Sequence, residues 1–155
     1  MSLNELVRSF YNQHKSCNLH DVFVYRGDGI PVFVTNEENK STVGALIAGV
    51  WLASSELAKN VNVSQRKEFQ FNFSDSSNGI YLLSLTDKSQ EYIIGTVYKN
   101  ELNPGKLKVN LRRFSKSISS LLASYEELKS TDNKKYLFTN ISDKEIDDMF
   151  STAGI

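Results

Sequence analysis

The sequence contains a single cysteine, Cys17, so no disulfide can form within the chain. Small secreted domains usually depend on several disulfides, and a lone cysteine is more typical of a reducing compartment. The first ten residues, MSLNELVRSF, also lack the long apolar run of a secretory signal. The sequence therefore predicts a cytoplasmic protein.

The sequence also lacks an excess of charge of either sign. Eighteen Lys and Arg residues balance eighteen Asp and Glu residues. Proteins dedicated to nucleic acids usually carry a basic face that displaces counterions from the phosphates. The longest apolar stretch, residues 43–53, is interrupted by glycine and is shorter than the roughly 20 residues that span a bilayer. We predict no nucleic-acid partner and no membrane insertion.

Motifs for nucleotide chemistry and for metal binding are incomplete. The segment 104–106 (PGK) lacks the first glycine of a phosphate-binding loop and the hydroxyl residue that follows its lysine. His14, Cys17 and His20 are spaced three apart, but zinc sites usually combine two such elements, and the sequence offers no second one. We predict no catalytic residue, no cofactor and no metal ion.

Residues 26–28 read RGD, the tripeptide that extracellular proteins use to engage integrins. Two runs of β-branched and aromatic residues flank it, at 21–25 (DVFVY) and 30–35 (IPVFVT). Asp28 and Gly29 are typical of the turn that joins two antiparallel strands, because they tolerate positive φ. The motif therefore predicts a hairpin and not an adhesion site.

A long helix is predicted over residues 41–61, STVGALIAGVWLASSELAKNV, with its N-cap at Asn39 or Ser41. Two glycines within it each cost ~1 kcal/mol relative to alanine, which implies that another element approaches closely. Its larger residues recur at spacings of three and four and form one stripe: Val43, Leu46, Ile47, Val50, Ser54, Leu57 and Val61.

The remaining elements follow from periodicity and from helix-start signals. Ser2 and Glu5 have the spacing of a capping box before a short helix. Alternating phenylalanines in residues 66–74 (RKEFQFNFS) predict a strand, and two further strands follow across short polar turns. The predicted fold is α+β: a five-stranded antiparallel sheet with long helices packed on it, in the order α-β-β-α-β-β-β-α plus a short C-terminal helix.

This order of elements resembles the roadblock family. The most similar stretch is residues 21–58, DVFVYRGDGIPVFVTNEENKSTVGALIAGVWLASSELA, and the order of elements extends the resemblance to about residue 129. Members of the family form homodimers or heterodimers. They scaffold or regulate small Ras-like GTPases or serve as dynein light chains, and bacterial members include GTPase-activating partners of a polarity and motility GTPase. The resemblance implies a dimer surface on the long helix and the strand after it.

Small residues of the helix and polar residues of the strand are the predicted dimer contacts. An edge strand exposes unpaired N–H and C=O groups that a symmetric partner can satisfy. The alternative is that the small residues fit against the chain's own sheet or a neighbouring helix, and Trp51 is as consistent with a core as with an interface. The predicted contacts are Gly44, Ala45, Ala48, Gly49, Trp51, Ala53, Glu68, Gln70 and Asn72.

A C-terminal tail, residues 130–155, is predicted to follow a roadblock-like domain of residues 1–129. The polar segment 129–135 (KSTDNKK) is predicted as a linker, and a second capping box begins a short amphipathic helix. Its apolar residues are expected to dock on the parent domain or on another protein. They are Ile141, Ile146, Met149 and Phe150.

The resemblance implies a non-catalytic homodimeric scaffold that binds a small Ras-like GTPase, or a complex containing one. Any stimulation of GTP hydrolysis is expected to act by positioning the GTPase's own catalytic groups, since no arginine can be singled out as a finger. The alternative is a PAS-like sensor domain, which also packs helices on a five-stranded antiparallel sheet. A ligand-sized cavity under the sheet would favour that alternative.

Overall fold

The helices and strands follow the predicted order in a computed structural model that describes residues 2–13, 21–63, 68–74, 77–86, 90–100 and 103–139. The α+β class and the order α-β-β-α-β-β-β-α are confirmed. Within those residues the elements are α1 (Leu3–Gln13), β1 (Asp21–Arg26), β2 (Pro31–Val34), α2 (Lys40–Asn60), β3 (Glu68–Asn72), β4 (Gly79–Thr86), β5 (Glu91–Tyr98) and α3 (Pro104–Thr139).

The five strands form one antiparallel sheet in the spatial order β2-β1-β5-β4-β3. Phe23 and Leu82 both lie opposite Gly95, so these three residues share one face of the sheet. Val24 and its neighbours in register share the other face. Strands β2 and β3 are the two edges.

One helix covers the first face of the sheet. Trp51 of α2 packs against Phe69 with ring centroids 5.0 Å apart, and its Nε1 donates a hydrogen bond to Glu91 Oε1 at 3.1 Å. Because a buried indole N–H needs an acceptor, this bond allows Trp51 to lie in the core. The buried cluster on this face comprises Phe23, Tyr25, Val34, Ile47, Trp51, Leu82 and Ile93.

Helices α1 and α3 share the opposite face. The ring of Tyr11 in α1 lies 5.4 Å from Phe33 of β2 and 6.0 Å from Phe114 of α3. Asn4 Nδ2 donates to the carbonyl of Val32 at 2.7 Å, which ties α1 to the edge strand β2. The chain up to residue 121 is therefore built as α2, then the sheet, then α1 with α3.

The capping box at the start of α1 is formed as predicted. The Ser2 N–H donates to Glu5 Oε2 at 2.8 Å, and the Glu5 N–H donates to Ser2 Oγ at 3.3 Å. The hydrogen bond from the Ser2 backbone lowers the pKa of Glu5 below its usual value. Two N–H groups that α1 leaves unpaired are thus satisfied locally.

The predicted turn between β1 and β2 is also confirmed. Gly29 has φ +88°, and its N–H donates to the carbonyl of Arg26 at 2.9 Å. Arg26 Nη2 contacts Asp28 Oδ2 at 2.7 Å, so both charged residues of the RGD triplet are used within the turn. The tripeptide is explained by the hairpin.

The glycine Gly44 of α2 packs directly against this hairpin. A Cβ at Gly44 would overlap the carbonyl oxygen of Gly29 and lie 2.7 Å from Tyr25 Cε1. Asn39, at φ 54°, is the N-cap of α2 and uses no side-chain hydrogen bond. The element that approaches α2 closely at Gly44 is therefore the chain's own β1–β2 hairpin.

The prediction of a single apolar stripe on α2 is wrong. The sheet buries Gly44, Ile47 and Trp51, whereas Leu46 and Leu57 each remain 64% exposed. Because α2 is apolar on two sides, spacing alone does not reveal which side meets the sheet. The side of α2 that carries Gly44 and Trp51 is the one that meets the sheet.

The predicted linker at residues 129–135 is helical, because α3 continues to Thr139. The segment contains no glycine or proline that would end a helix. The chain divides into two compact units, residues 1–121 and 122–155. The short tail helix and the four tail residues predicted to dock lie outside the described residues, and the boundary at residue 129 stays a prediction.

A polar cluster joins the edge strand β3 to α3. Arg112 Nε and Nη2 bind the two carboxylate oxygens of Glu68 at 3.1 and 2.8 Å. The Tyr81 hydroxyl donates to Glu68 Oε2 at 2.6 Å. Burial, together with the carboxylate of Glu68, raises the pKa of Tyr81 to about 12. Arg112, Glu68 and Tyr81 are called the Arg112 cluster below.

We expect Gly44→Ala to destabilise the fold by about 1–3 kcal/mol, because the added methyl group overlaps hairpin backbone that cannot move freely. Urea unfolding followed by circular dichroism measures the change. Gly105→Ala is the matched control: its Cβ would lie 3.6 Å from Asn103 Oδ1, an ordinary contact. The control should be neutral or more stable by up to ~1 kcal/mol. Equal stabilities of the two variants would contradict the Gly29–Gly44 contact.

We expect Glu68→Gln to lower the pKa of Tyr81 from about 12, since the hydrogen bond to Glu68 and the charge of Glu68 both raise it in addition to burial. In the parent, the folded pKa exceeds the unfolded value, so the stability that Tyr81 contributes is complete below pH ~10 and is lost as the pH rises toward 12. Ring signals of labelled tyrosine report the titration by NMR. Glu56→Gln, which removes a carboxylate paired with Lys59 on α2, is the control and should leave Tyr81 unchanged.

Candidate functional site

An exposed apolar face runs along α2 on the side away from the sheet. Leu46 and Leu57 are each 64% exposed, and Val50 is 38% exposed. Positions 46, 50, 53 and 57 follow each other by steps of four, three and four, which is the spacing of a helix–helix seam. We call this the outer face of α2; it consists of Ala45, Leu46, Gly49, Val50, Ala53 and Leu57.

Gly49 lies at the centre of the outer face. A Cβ at this position would meet no atom within 4 Å, in contrast to Gly44. Ala45 and Ala53, one turn to either side, are exposed as well. No packing within the described residues requires a glycine here, although glycine weakens a helix by about 1 kcal/mol.

The edge strand β3 lies beside the same helix. Trp51 packs on Phe69, which places the middle of α2 over β3. Within the described residues β3 pairs with β4 alone, so its outer backbone edge has no strand neighbour. Phe73, just after the strand, is 53% exposed. The outer face of α2 and the open edge of β3 therefore combine exposed apolar side chains with unpaired backbone groups.

The structure separates the helix residues that were predicted as dimer contacts. Ala45, Gly49 and Ala53 lie on the outer face, and Ala48 is half-buried. Gly44 and Trp51 are buried against the chain's own sheet, so they are unavailable to a second copy. For Gly44 the alternative reading of the sequence, a small residue fitted against its own sheet, is the one that the geometry supports.

The polar residues predicted on β3 make contacts within the chain. Glu68 belongs to the Arg112 cluster. Gln70 Nε2 donates to Tyr98 Oη at 3.0 Å, and the Tyr98 hydroxyl donates to Asn72 Oδ1 at 2.6 Å. These bonds fix the side chains on the α3 side of the sheet and hold the edge strand in register, which leaves its backbone as the group open to a partner.

Sequence reasoning missed the large residues of the outer face. The predicted stripe combines Leu46, Val50 and Leu57 with Ile47, which is buried. The steps of four, three and four indicate a second apolar face that does not include Trp51, although they do not say which of the two faces meets the sheet. The alternation of phenylalanines in residues 66–74 puts Phe73 on the same strand face as Phe69, and nothing in the sequence marks it as exposed.

By length and composition, α2 is long and apolar enough to cross a membrane, and it is the one such helix within the described residues. The side of α2 opposite the outer face packs on the sheet through Ile47 and Trp51. An exposed apolar face of this kind is equally typical of a protein–protein contact.

The described residues include a cavity of about 140 Å³ between the first turn of α2 and the sheet. Pockets for small-molecule ligands usually measure roughly 300–1,000 Å³, so this cavity is smaller than the PAS-like alternative requires. No group of three His, Cys, Asp or Glu residues within the described ranges could hold a metal ion. His14, Cys17 and His20 lie outside those ranges.

Solved structures of MglB and of a Roadblock/LC7 domain have the same fold. MglB of Myxococcus xanthus superposes with a TM-score of 0.60 at 16% identity, covering 79% of this chain and 95% of that one. A structure of MglB with a tetrameric arrangement gives a TM-score of 0.62 at 13% identity, with 77% and 90% covered. The Roadblock/LC7 domain of Streptomyces avermitilis gives 0.55 at 12% identity, with 67% and 85% covered.

No protein-family model matches the sequence, and no curated protein is significantly similar to it. The likeness therefore lies in the fold. It covers the α+β arrangement of three helices and one five-stranded antiparallel sheet. The chain has the roadblock fold.

Proposed function

We propose that this chain is a non-catalytic, homodimeric scaffold or regulator in the cytoplasm that binds a small Ras-like GTPase, or a complex containing one. The observation that carries the proposal is the exposed outer face of α2 beside the open edge of β3, in a chain with the roadblock fold. The resemblance of the sequence to the roadblock family supports the GTPase as the class of partner.

In the proposed dimer, the outer faces of two α2 helices pack against each other around Gly49. Burying a leucine or valine side chain contributes about 1.5–3 kcal/mol, so Leu46, Val50 and Leu57 can supply a large part of the association energy. A glycine at the centre allows the helix backbones to approach closely, which gives Gly49 a role at a position where packing within the chain does not need a glycine.

The edge of β3 provides the second half of the proposed contact. Two symmetric β3 edges can pair and continue the sheet from one copy into the other, satisfying N–H and C=O groups that are otherwise solvated. The Arg112 cluster and the hydrogen bonds of Gln70 and Asn72 hold this edge in place before association. The side chains of Glu68, Gln70 and Asn72 then lie at the border of the contact between the two β3 strands, while the strand backbones form its centre.

The described arginines support a positioning mechanism in place of a direct catalytic one. Arg8, Arg26 and Arg112 each bind a carboxylate of their own chain. Arg113 is exposed on α3, on the opposite side of the sheet from α2. Each of the three paired guanidinium groups would have to leave its carboxylate to stabilise charge on a transferring phosphate. We infer that regulation acts by holding the GTPase's own catalytic groups in place, as the resemblance to the roadblock family implies.

Gly49→Leu and Leu46→Lys should each weaken self-association at least tenfold. The leucine has room for its Cβ within its own chain but blocks close approach of a second helix, and the lysine places a charge at an apolar seam. Light scattering over a range of protein concentrations measures the mass. Val109→Lys, at an exposed valine of α3, is the control and should stay dimeric. A monomeric parent, or variants as dimeric as the parent, would rule out the proposed surface.

Capture experiments with nucleotide-loaded small GTPases from the same cell test the partner class. We expect the parent to retain a Ras-like GTPase and the Gly49→Leu variant to retain at least tenfold less, since a surface that spans two copies is lost with the dimer. Val109→Lys again serves as the control. A dimeric parent that retains no GTPase in either nucleotide state would leave the dimer standing and refute the regulatory role.

A further inference from the structure

The cavity of about 140 Å³ has an apolar floor at one end of the sheet. It opens where β1 begins and where β2 and β5 end, beside the first turn of α2. Its floor is formed by Phe23, Tyr25, Val34, Val43 and Val97. The Tyr25 hydroxyl already donates to the carbonyl of Lys40 at 2.9 Å, so the tyrosine presents its ring and not a polar group to the cavity.

Three charged residues stand around the mouth of this cavity: Asp21, Glu38 and Lys99. None of them takes part in the ion pairs of the described residues. The neighbouring Glu37, by contrast, is bound by Arg8 at 3.2 Å and by Lys40 at 2.7 Å. The rim thus carries two carboxylates and one ammonium group that no side chain in the described part of the chain neutralises by an ion pair.

The size of the cavity fits one apolar side chain. An apolar cavity of about 150 Å³ is large enough to hold a benzene-sized group, which is also the size of a leucine or phenylalanine side chain. The excess of carboxylate on the rim favours a positive charge next to that side chain. A segment with an apolar residue followed by a basic one matches both features.

We propose that this cavity is an anchor site for a partner protein: it holds one leucine- or phenylalanine-sized side chain, while an adjacent Lys or Arg of the partner meets Asp21 and Glu38. The site is separate from the outer face of α2, because its floor residues face the sheet side of that helix. It therefore remains accessible when two copies associate, and each copy can hold a partner segment independently.

Capped dipeptides provide the probe, with acetyl-Leu-Arg-amide as the matching one. Methyl-labelled protein is titrated and followed by NMR at Val34, Val43 and Val97. We expect saturable shifts with a Kd on the order of 1 mM, as befits a contact this small. Acetyl-Ala-Arg-amide should bind at least tenfold more weakly because it leaves the floor empty. Acetyl-Leu-Glu-amide should bind about threefold more weakly because it meets the rim carboxylates with the wrong charge.

Two variants and one reference signal keep the test decisive. The double change Asp21→Asn with Glu38→Gln should remove the preference for Leu-Arg over Leu-Glu, and Val43→Phe should abolish the shifts by filling the cavity. The methyl groups of Ile30, which is 49% exposed and lies outside the cavity, should not respond. Absent floor shifts, equal binding of the Ala and Leu peptides, or an equal response at Ile30 would each overturn the proposal.

Discussion

Contact between two glycines determines how α2 lies on the sheet. Gly29 at the tip of the β1–β2 hairpin and Gly44 in the first turns of α2 approach so closely that a side chain at either position would overlap the other's backbone. One and two turns further on, Ile47 and Trp51 continue the same line of contact. The rotation of α2 about its axis is thereby fixed, and with it the set of residues that point outward.

That rotation leaves a second apolar face of α2 uncovered. Exposure of the apolar side chains of Leu46, Val50 and Leu57 to water is unfavourable. These side chains surround Gly49, a glycine that the chain's own packing does not require. The Arg112 cluster holds β3 at the neighbouring edge of the sheet. An apolar helix face beside an open strand edge is a suitable surface for a second copy, and this is the physical basis of the proposed function.

Much of the fold could be predicted because local signals agree with it. The capping box at Ser2 and Glu5, the Asp28-Gly29 turn and the alternation around Phe69 each specify one element by local geometry. The two sides of α2 could not be told apart, because Ile47 and Leu46 are adjacent and equally apolar. The tertiary contact between Gly29 and Gly44, far apart in the sequence, decides between them. The ion pair of Arg112 with Glu68 could not be predicted from the sequence either, since two residues 44 positions apart produce no periodic pattern.

Amide hydrogen exchange along β3, measured as a function of protein concentration, tests the central claim most directly. If two copies meet through the outer face of α2 and the edge of β3, the amides of β3 that do not bond to β4 exchange more slowly as the concentration rises. Amides of the hairpin turn at Gly29 keep a constant rate. Exchange along β3 that is fast and independent of concentration, in a protein that still associates, would contradict the account.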